Sequence, residues 1–349
     1  MALRFDTVLE ALSHGFDEVI DVRSPAEFAE DRLPGAISLP VLDDAERARV
    51  GTIYKQESPF LARKLGAALV ARNAAAHIEG PLRHHDGGWR PLVYCWRGGQ
   101  RSGSFASILR EIGWRVETVE GGYRSWRRLV VADLYDRAFP ARVVLLDGNT
   151  GTAKTDLLAL LASRGHQVID LEGLANHRGS LLGATGPQPA QKGFESALAV
   201  ASARLDPARP VIIEAESTKI GELSLPPGVV AAMRAAPRVE ITASLSARAA
   251  YLVRAYADAL EDPQVLADRI RRLRHLRGGA RVERWAGMVM AGEVEAAAAE
   301  LMAEHYDPAY AKSRARRDGR PAAVIEAGSL GAADLEGLAD RVGEAISAL

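Results

Sequence analysis

The sequence has very little cysteine, no long apolar run and almost no net charge. Cys95 is the only cysteine among 349 residues, so no disulfide can form within the chain, which is typical of a reducing compartment. No apolar run approaches the roughly 18–20 residues that a membrane-spanning helix needs. The first twelve residues include Asp6 and Glu10 and do not resemble a secretory signal. These absences predict a cytoplasmic protein with no membrane partner.

The chain alternates strand-like and helix-like segments in two successive cycles, which predicts an α/β fold with parallel sheets covered on both faces. The first cycle has predicted strands at residues 18–23, 36–39, 92–96 and 116–119, with helices at 45–54 and 60–73 among them. The second has predicted strands at residues 143–147, 167–171, 211–215 and 239–242. The charged stretch 133–142, which contains Pro140, predicts the boundary between domains at 1–135 and 140–349. A last helix, 334–349, is expected to pack on the core through Leu335, Leu338, Val342 and Ile346.

Cys95 opens the segment Cys-Trp-Arg-Gly-Gly-Gln-Arg-Ser at residues 95–102, between a predicted strand and a helix that begins near Gly103. Backbone N–H groups converge at such a turn and, with the helix dipole, stabilise a thiolate and any anion beside it. A lone cysteine is more often a buried structural residue. The glycines and arginines around it favour a catalytic Cys95 with an anion cradle made of Arg97, Gly98, Gly99 and Arg101.

A second motif, Gly-Asn-Thr-Gly-Thr-Ala-Lys-Thr, follows the predicted strand 143–147 and precedes a predicted helix at 156–163. It nearly matches the phosphate-binding loop G-x-x-x-x-G-K-[ST] in the required strand–loop–helix context, which makes a chance glycine turn the weaker interpretation. Loop amides would hold phosphate oxygens, and Lys154 would neutralise them. No metal is assigned, although Thr155 is a candidate magnesium ligand. Ala153 replaces the last glycine of the motif, and its Cβ is expected to narrow the loop. This narrowing makes ordinary nucleotide hydrolysis a weaker interpretation. The predicted diphosphate-binding residues are Gly148, Asn149, Thr150, Gly151, Thr152, Ala153, Lys154 and Thr155.

The segments Asp-Val-Arg-Ser-Pro-Ala-Glu-Phe at 21–28 and Leu-Pro-Gly-Ala at 33–36 resemble the start of a rhodanese domain. Glu-Gly-Gly-Tyr at 120–123 resembles its closing strand and turn. The resemblance covers about residues 1–130 and implies that Cys95 takes a sulfur or selenium atom and passes it on. Five residues separate Cys95 from Arg101, where many sulfurtransferases have four. The longer loop is similar to the Cys-x5-Arg-Ser loops of phosphatases, which cradle an oxyanion the size of selenophosphate.

Further segments, at 50–56, 64–68, 170–180 and 194–198, together with the order of the two motifs, resemble the tRNA 2-selenouridine synthase family over nearly the whole chain. The resemblance implies an N-terminal rhodanese-like domain and a C-terminal domain similar to P-loop NTPases, with a parallel sheet and a helical C-terminal part. It also implies a transferase that replaces sulfur by selenium at C2 of a wobble 2-thiouridine in tRNA. The implied substrates are selenophosphate and geranyl diphosphate, with no tightly bound cofactor. The implied partners are a tRNA that carries this base and a source of selenophosphate.

The implied chemistry is consistent, because alkylation by geranyl diphosphate turns the sulfur into a thiol leaving group that selenium can displace. Cys95 either carries the selenium or assists its delivery. Two other functions stay open. A Cys-dependent phosphatase would leave the phosphate loop unexplained. A nucleotide-gated tRNA-binding module with an inert rhodanese fold is disfavoured by the intact Cys95 loop.

Polar residues after two strands of the second cycle are predicted to surround the phosphate loop, because ligands of open α/β sheets bind at the carboxyl ends of strands. Glu214 and Glu216 lie where a Walker-B strand would end, in place of the usual aspartate. Arg178 could contact a diphosphate or a tRNA phosphate, and His177 is equally well explained as a packing residue. The predicted supporting residues are Glu172, His177, Arg178, Glu214 and Glu216.

Two basic clusters stand out because the whole chain has a formal net charge of only −1. A charge run is usually a solvated helix face, but dense clusters in a neutral chain favour tRNA phosphate binding. The predicted tRNA-binding residues are Arg269, Arg271, Arg272, Arg274, Arg277, Arg281 and Arg284. A second cluster contains Lys312, Arg314, Arg316, Arg317 and Arg320. Trp285 and Tyr306 lie nearby and are expected to pack in the core.

Overall fold

The computed structural model describes residues 2–177, 186–215, 217–257, 262–315 and 319–349. They form two compact units, Met1–Ala138 with Pro189–Arg204, and Phe139–Gln188 with Leu205–Leu349. No helix within these described ranges is long and apolar enough to cross a membrane. The predicted α/β class is confirmed, because each unit has its own parallel five-stranded sheet.

The described residues form twelve strands. They are β1 (Ala2–Leu3), β2 (Glu18–Asp21), β3 (Ala36–Ser38), β4 (Pro91–Tyr94), β5 (Glu117–Val119), β6 (Val143–Gly148), β7 (Gln167–Ile169), β8 (Val211–Glu214), β9 (Lys219–Ile220), β10 (Leu223–Ser224), β11 (Arg238–Ala243) and β12 (Ala323–Ala327). The first unit has the order β1-β5-β4-β2-β3, and the second has β12-β11-β6-β8-β7. All residues of β4, β6 and β8 are buried, as expected for central strands covered on both faces.

Helices cover the sheets or extend from them. In the described part of the chain they are α1 (Val8–Leu12), α2 (Pro25–Glu30), α3 (Asp44–Gln56), α4 (Pro59–Glu79), α5 (Gln100–Ile112), α6 (Tyr123–Val131), α7 (Lys154–Ser163), α8 (Leu171–Leu174), α9 (Gln191–Ala203), α10 (Pro227–Ala235), α11 (Leu245–Ala255), α12 (Pro263–Arg271), α13 (Arg274–Arg277), α14 (Gly279–Met290), α15 (Val294–Leu301), α16 (Asp307–Arg314) and α17 (Ala332–Ser347). Wider π-helical turns follow α6 at Ala132–Asp136 and α15 at Met302–Tyr306.

Three helices show how the sequence directs the packing. Helix α5 buries Ser102, Phe105, Ala106 and Leu109 on one face, at the spacing of three and four residues that defines an amphipathic helix. Helix α17 buries Leu335, Leu338, Val342 and Ile346, which confirms the predicted core-facing side. Helix α3 is capped at Asp43 and Glu46, and every one of its residues is at least partly exposed. It packs mainly against the neighbouring α4.

The C-terminal part of the second unit is helical, with a small core of its own. Trp285 is fully buried there, and its indole N–H donates to Glu300 at 3.0 Å. Leu266, Val282 and Val289 pack in the same cluster, and Tyr306 packs against it. These two aromatic side chains therefore belong to the core, as their sequence context predicts.

Helix α9 belongs to the first unit, although its sequence lies between β7 and β8 of the second. The Ser196 hydroxyl accepts a hydrogen bond from the Trp126 indole at 3.1 Å and donates to Asp31 at 2.8 Å. Glu195 is buried and accepts from Tyr135 at 2.8 Å and from Arg127. The compact units therefore differ from the predicted domains 1–135 and 140–349, since residues 189–204 join the N-terminal part.

Candidate functional site

The Cys95 thiol lies at the carboxyl end of β4, directly before a loop that leads into α5. It is almost fully buried, and the Ser102 hydroxyl donates to its sulfur at 3.2 Å. Burial raises the pKa of the thiol. Hydrogen bonds from the Ser102 hydroxyl and amide and from the Arg97 amide, together with the charge of Arg101, outweigh burial and lower this pKa below its ordinary value. The loop therefore favours the thiolate, which is the nucleophilic form.

Close backbone contacts hold the Cys95 loop in place. Gly98 has a φ of +65°, and a Cβ there would lie 2.7 Å from the Val119 carbonyl oxygen. Gly122 has a φ of +58°, and a Cβ there would lie 2.2 Å from the Cys95 carbonyl oxygen. The amide of Tyr123 donates to that same carbonyl at 2.8 Å. The Glu-Gly-Gly-Tyr turn at 120–123 is thus the backbone support of the loop, and only glycine fits its closest contact.

The four predicted cradle residues do not contribute in the same way. Gly98 and Gly99 form the loop, and Gly99 is the N-cap of α5. Arg97 contributes its backbone amide to the thiolate, and its side chain is exposed. The Arg101 guanidinium donates to Glu27 at 2.9 Å. Arg101 therefore stabilises the Cys95 thiolate by its charge while its guanidinium is paired with Glu27.

Glu27 connects the start of α2 to the cysteine loop. Its Oε2 lies 2.9 Å from Arg101 and 3.0 Å from Arg47. Burial raises the pKa of Glu27, but hydrogen bonds from Arg101 and Ser24, with the charge of Arg47, lower it overall. The ionised carboxylate thus fixes two arginines beside the loop. Glu27 belongs to the quoted rhodanese segment, but its ion pairs could not be identified from sequence.

A buried polar network lies under the same loop. Asp21 accepts from Arg23 at 2.6 Å and from the Tyr94 hydroxyl at 2.7 Å. The Arg23 guanidinium lies 4.0 Å from the centre of the Tyr123 ring. The Tyr123 hydroxyl donates to Asp31 at 2.8 Å. Because these groups are buried and mutually bonded, they fix the strand ends that position Cys95.

The phosphate loop connects β6 to α7 in the predicted strand–loop–helix arrangement. Lys154 donates to the Gly148 carbonyl at 2.8 Å, and the Thr152 hydroxyl donates to the Asn149 carbonyl at 2.9 Å. The loop lines a cavity of about 440 Å³ with Thr150, Gly151, Thr152, Ala153, Lys154 and Thr155, and with Glu172, Tyr251 and Tyr310 from other segments. Gly148 and Asn149 shape the loop from outside this lining.

Ala153 has a left-handed backbone with a φ of +60°, and the residue is 2% exposed. It belongs to the hydrophobic core cluster with Leu157, Ile241 and Tyr251. Ala153 therefore packs against the core and also lines the phosphate cavity, and the narrowing of the loop by its methyl group stays a prediction.

Helix α16 and Arg248 bond to the phosphate loop, and no sequence motif indicates either contact. Asp307 accepts from Asn149 at 3.0 Å and from Arg248 at 2.9 and 2.8 Å. Arg248 also donates to the Thr150 carbonyl at 3.2 Å. Tyr310, one turn along α16, has its ring centre 5.6 Å from the Lys154 ammonium. Segments that are distant in sequence thus complete the loop.

The acidic residues near the loop are engaged with protein partners. Asp147 pairs with Arg238 at 3.0 Å and with Arg314 at 3.2 Å. Burial raises the pKa of Asp147, but the ion pair with Arg314 and the Gly148 amide lower it overall. Asp156 accepts from the Tyr251 hydroxyl at 3.1 Å. Among the described residues no group of three His, Cys, Asp or Glu could hold a metal ion. A magnesium ion on Thr155 stays a prediction, because Mg²⁺ in such loops is bound largely by substrate phosphates and water, and no chemical step here uses one.

The predicted supporting residues lie at different places. Glu214 is buried at the end of β8 and accepts the Glu172 amide at 2.7 Å. Glu172 lines the phosphate cavity, and the His177 amide donates to the Glu172 carbonyl at 3.0 Å. Arg178 and Glu216 lie outside the described residues. The structure thus links Glu214 to the cavity through the short helix α8.

Most of the predicted tRNA-binding arginines have partners inside the helical region. Arg271 and Arg274 pair with Glu283, Arg281 pairs with Glu304, and Arg284 pairs with Glu300. Arg277 donates to His305 at 2.9 Å, and Arg269 also has a partner. Arg272 is exposed. Exposed ion pairs are weak, so phosphates can compete for these arginines, but acidic neighbours balance much of their charge. In the second cluster, Arg314 binds Asp147, and Arg316 and Arg317 lie outside the described residues.

Comparison with known proteins finds a family model for each of the two motif-bearing parts of the chain. A model described as the tRNA 2-selenouridine synthase AAA domain matches residues 141–274, and a rhodanese-like domain model matches residues 5–129. The tRNA 2-selenouridine synthase of Cupriavidus necator is 34% identical over 336 residues, 86% of this chain and 89% of that protein. The one from Chromohalobacter salexigens is 35% identical over 323 residues, 84% of this chain and 86% of that protein. The one from Nitrosomonas europaea is 38% identical over 226 residues, which cover 62% of this chain and 58% of that protein's length. The chain therefore belongs to the tRNA 2-selenouridine synthase family.

Proposed function

We propose that this protein converts a wobble 2-thiouridine of tRNA to 2-selenouridine through an S-geranyl intermediate. The substrates are geranyl diphosphate and selenophosphate. The observation that carries the proposal is the pairing, in one chain, of a thiolate-stabilising loop at Cys95 with a phosphate loop at Lys154. The names of the relatives support tRNA as the substrate.

The phosphate loop suits a diphosphate better than a hydrolysable nucleotide. Nucleotide hydrolysis couples such a loop to an aspartate that holds a metal ion and to a positioned water. Here Asp147 is neutralised by two arginines, and Glu214 accepts a backbone amide. What the loop offers is the Lys154 ammonium, backbone amides and a helix N-terminus, which is an anion site.

An apolar cavity beside the phosphate cavity supports a prenyl diphosphate as the ligand. Leu266, Ile270, Val289 and Leu301 line it. Thr150, Leu252 and Tyr256 line both cavities. The apolar cavity is small, about 60 Å³, so a ligand with its diphosphate on the loop can place only part of a branched hydrocarbon chain against these walls, where burial is favourable.

Geranylation is a substitution at the carbon that carries the diphosphate. The thiocarbonyl sulfur of the base attacks C1 of the geranyl group, the carbon–oxygen bond breaks, and diphosphate leaves with the electron pair. The base loses its N3 proton as the carbon–sulfur bond forms. Negative charge grows on the diphosphate in the transition state, where Lys154 and the loop amides stabilise it most strongly.

Selenation replaces the alkylated sulfur and needs no reductant. Selenium from selenophosphate adds to C2 of the base and expels geranylthiol, while water takes the phosphoryl group and releases phosphate. Selenium keeps the electron pair of the phosphorus–selenium bond, and the product regains the N3 proton. We assign the delivery of selenium to Cys95, because its loop combines a thiolate with amides that bind an oxyanion.

The test is mass spectrometry of tRNA nucleosides after incubation with geranyl diphosphate and selenophosphate, separately and together. We expect S-geranyl-2-thiouridine with the first substrate alone and 2-selenouridine with both. If neither product forms and the protein instead hydrolyses a chromogenic phosphate ester, the chain is a Cys-dependent phosphatase. The absence of both activities, with tRNA binding retained, would support the binding module.

A further inference from the structure

A large cavity lies beside the cysteine loop, and neither motif accounts for it. Its volume is about 870 Å³. Helices α3 and α4 form its walls, and Gln100, Arg101 and Ser104 of α5 form the side nearest Cys95. Ser102, in the same turn of α5, donates to the Cys95 sulfur. The cavity thus opens next to the turn that activates the thiol.

The charge of the cavity is of one sign. The charged side chains among its described lining residues are Arg47, Lys55, Arg63 and Arg101, and all of them are basic. Arg47 and Arg101 form ion pairs with Glu27, which does not line the cavity. Lys55 and Arg63 are exposed on facing helices. A cavity with this charge attracts a polyanion such as RNA.

The same cavity has apolar and aromatic walls. Leu42, Val50, Ala62 and Val70 form its floor, and Tyr54 lies at its edge with 55% of its surface exposed. An exposed aromatic side chain between basic side chains is the arrangement on which unpaired bases stack. Tyr54 is carried by helix α3, whose residues are all at least partly exposed.

We propose that this cavity binds the unpaired nucleotide of the tRNA that receives selenium. Lys55 and Arg63 contact its flanking phosphates, and Tyr54 stacks on a base. The inference rests on the proposed function, since it identifies where the RNA substrate of that reaction binds. The proposal places the main RNA contact at helices α3 and α4, next to Cys95. The arginines between Arg269 and Arg284, whose charge is largely paired, then contribute less.

Two cavity variants and a matched control test the proposal. The first variant is Lys55→Ala with Arg63→Ala. The control is Arg49→Ala with Lys64→Ala, which removes the same charge from exposed positions of α3 and α4 outside the cavity lining. Binding of an anticodon stem-loop RNA is measured by fluorescence anisotropy over a range of salt concentrations. We expect the log–log salt slope of the first variant to fall by about 1.4 units, since each phosphate of single-stranded RNA that is no longer neutralised removes about 0.7. The control should keep the wild-type slope.

The second variant is Tyr54→Ala, which should weaken RNA binding roughly 5- to 150-fold without changing the salt slope. Tyr54→Phe should restore the affinity, because the ring is kept. Circular dichroism checks that each variant is folded, and Lys55→Arg with Arg63→Lys should restore the slope if charge alone is needed.

The outcomes separate this inference from the proposed function. Wild-type protein that forms both modified nucleosides, with cavity variants indistinguishable from the control, would overturn the cavity as the RNA site and leave the function intact. Wild-type protein that forms neither nucleoside would remove the function on which the inference rests. If the cavity instead binds another protein, RNA affinity stays unchanged in all variants, which also overturns the proposal.

Discussion

Replacing Ala153 by glycine gives a sharp test of how the phosphate loop is built. Ala153 has φ +60° and ψ 30°, a left-handed conformation that costs a residue with a Cβ about 1–2 kcal/mol. Glycine removes that cost. It also removes a methyl group that is 2% exposed and packed in the core cluster, worth about 0.8 kcal/mol. The more flexible unfolded chain costs a further ~0.4–1 kcal/mol.

The gain and the losses nearly cancel, so we expect Ala153→Gly to change the free energy of unfolding by less than about 1 kcal/mol. Ala153→Val should be clearly destabilising, since a β-branched residue is a true outlier in this region and overpacks the core by about 1–3 kcal/mol. Urea titration, followed by hydrogen exchange of the peptides that cover β6 and α7, measures the free energy of unfolding of both variants.

The same variant tests where the methyl group points. Because it lies in the core, its removal should leave the affinity for inorganic pyrophosphate unchanged in calorimetry. Tighter pyrophosphate binding by Ala153→Gly would show that the methyl group crowds the ligand, as the sequence suggested. A destabilisation above about 2 kcal/mol would show that the left-handed backbone is not strained. Either result would refute the reasoning.

The remaining predictions concern the two half-reactions, the thiolate and RNA binding. Cys95→Ala should abolish 2-selenouridine and leave S-geranyl-2-thiouridine to accumulate; loss of geranylation in a folded variant contradicts this division. Lys154→Ala should abolish geranylation, yet chemically prepared S-geranyl tRNA should still be selenated, and a strict need for ATP in wild-type geranylation would overturn the role of the loop. The pKa of Cys95 is lowered by Ser102, so the thiolate persists to lower pH than in an ordinary cysteine; Ser102→Ala should move the ultraviolet thiolate titration of this single cysteine to higher pH, and an unmoved titration argues against the hydrogen bond. Neutralising several arginines between Arg269 and Arg284 should weaken tRNA binding less than the cavity variants do, because acidic neighbours balance much of their charge, and should lower the salt slope by about one unit for each phosphate that they neutralise in the wild-type complex; an unaltered slope would show that these arginines form a solvated, internally paired face.

Central strands and motif loops could be predicted from sequence because each has a local signature. Strands β4 and β6 are short apolar runs that end at the two loops, and their burial follows from sheets covered on both faces. The edge strands β1 and β12 could not be predicted in the same way. β1 has only two residues, and β12 contains Glu326 and exposes Val324, so neither matches the fully buried apolar run of a central strand.

The contacts that complete each site could not be predicted, because they join distant segments. Nothing in the order of residues indicates that Asp307 bonds to Asn149, or that Glu27 holds Arg101. The backbone of Ala153 was also unpredictable, since alanine rarely adopts positive φ and the core around it imposes the conformation. Residue types near the sites were therefore predictable, but their partners were not.

Helix α9 has a consequence for any attempt to divide this protein. The chain passes between the compact units three times, after Ala138, Gln188 and Arg204, so a single cut cannot release two intact halves. A fragment that ends near residue 135 would lose the hydroxyl that satisfies Trp126 and Asp31. A fragment that begins near residue 140 would carry Phe194, fully buried in the whole protein, on a helix without its packing surface. A working split protein would therefore require α9 to be supplied together with the N-terminal part.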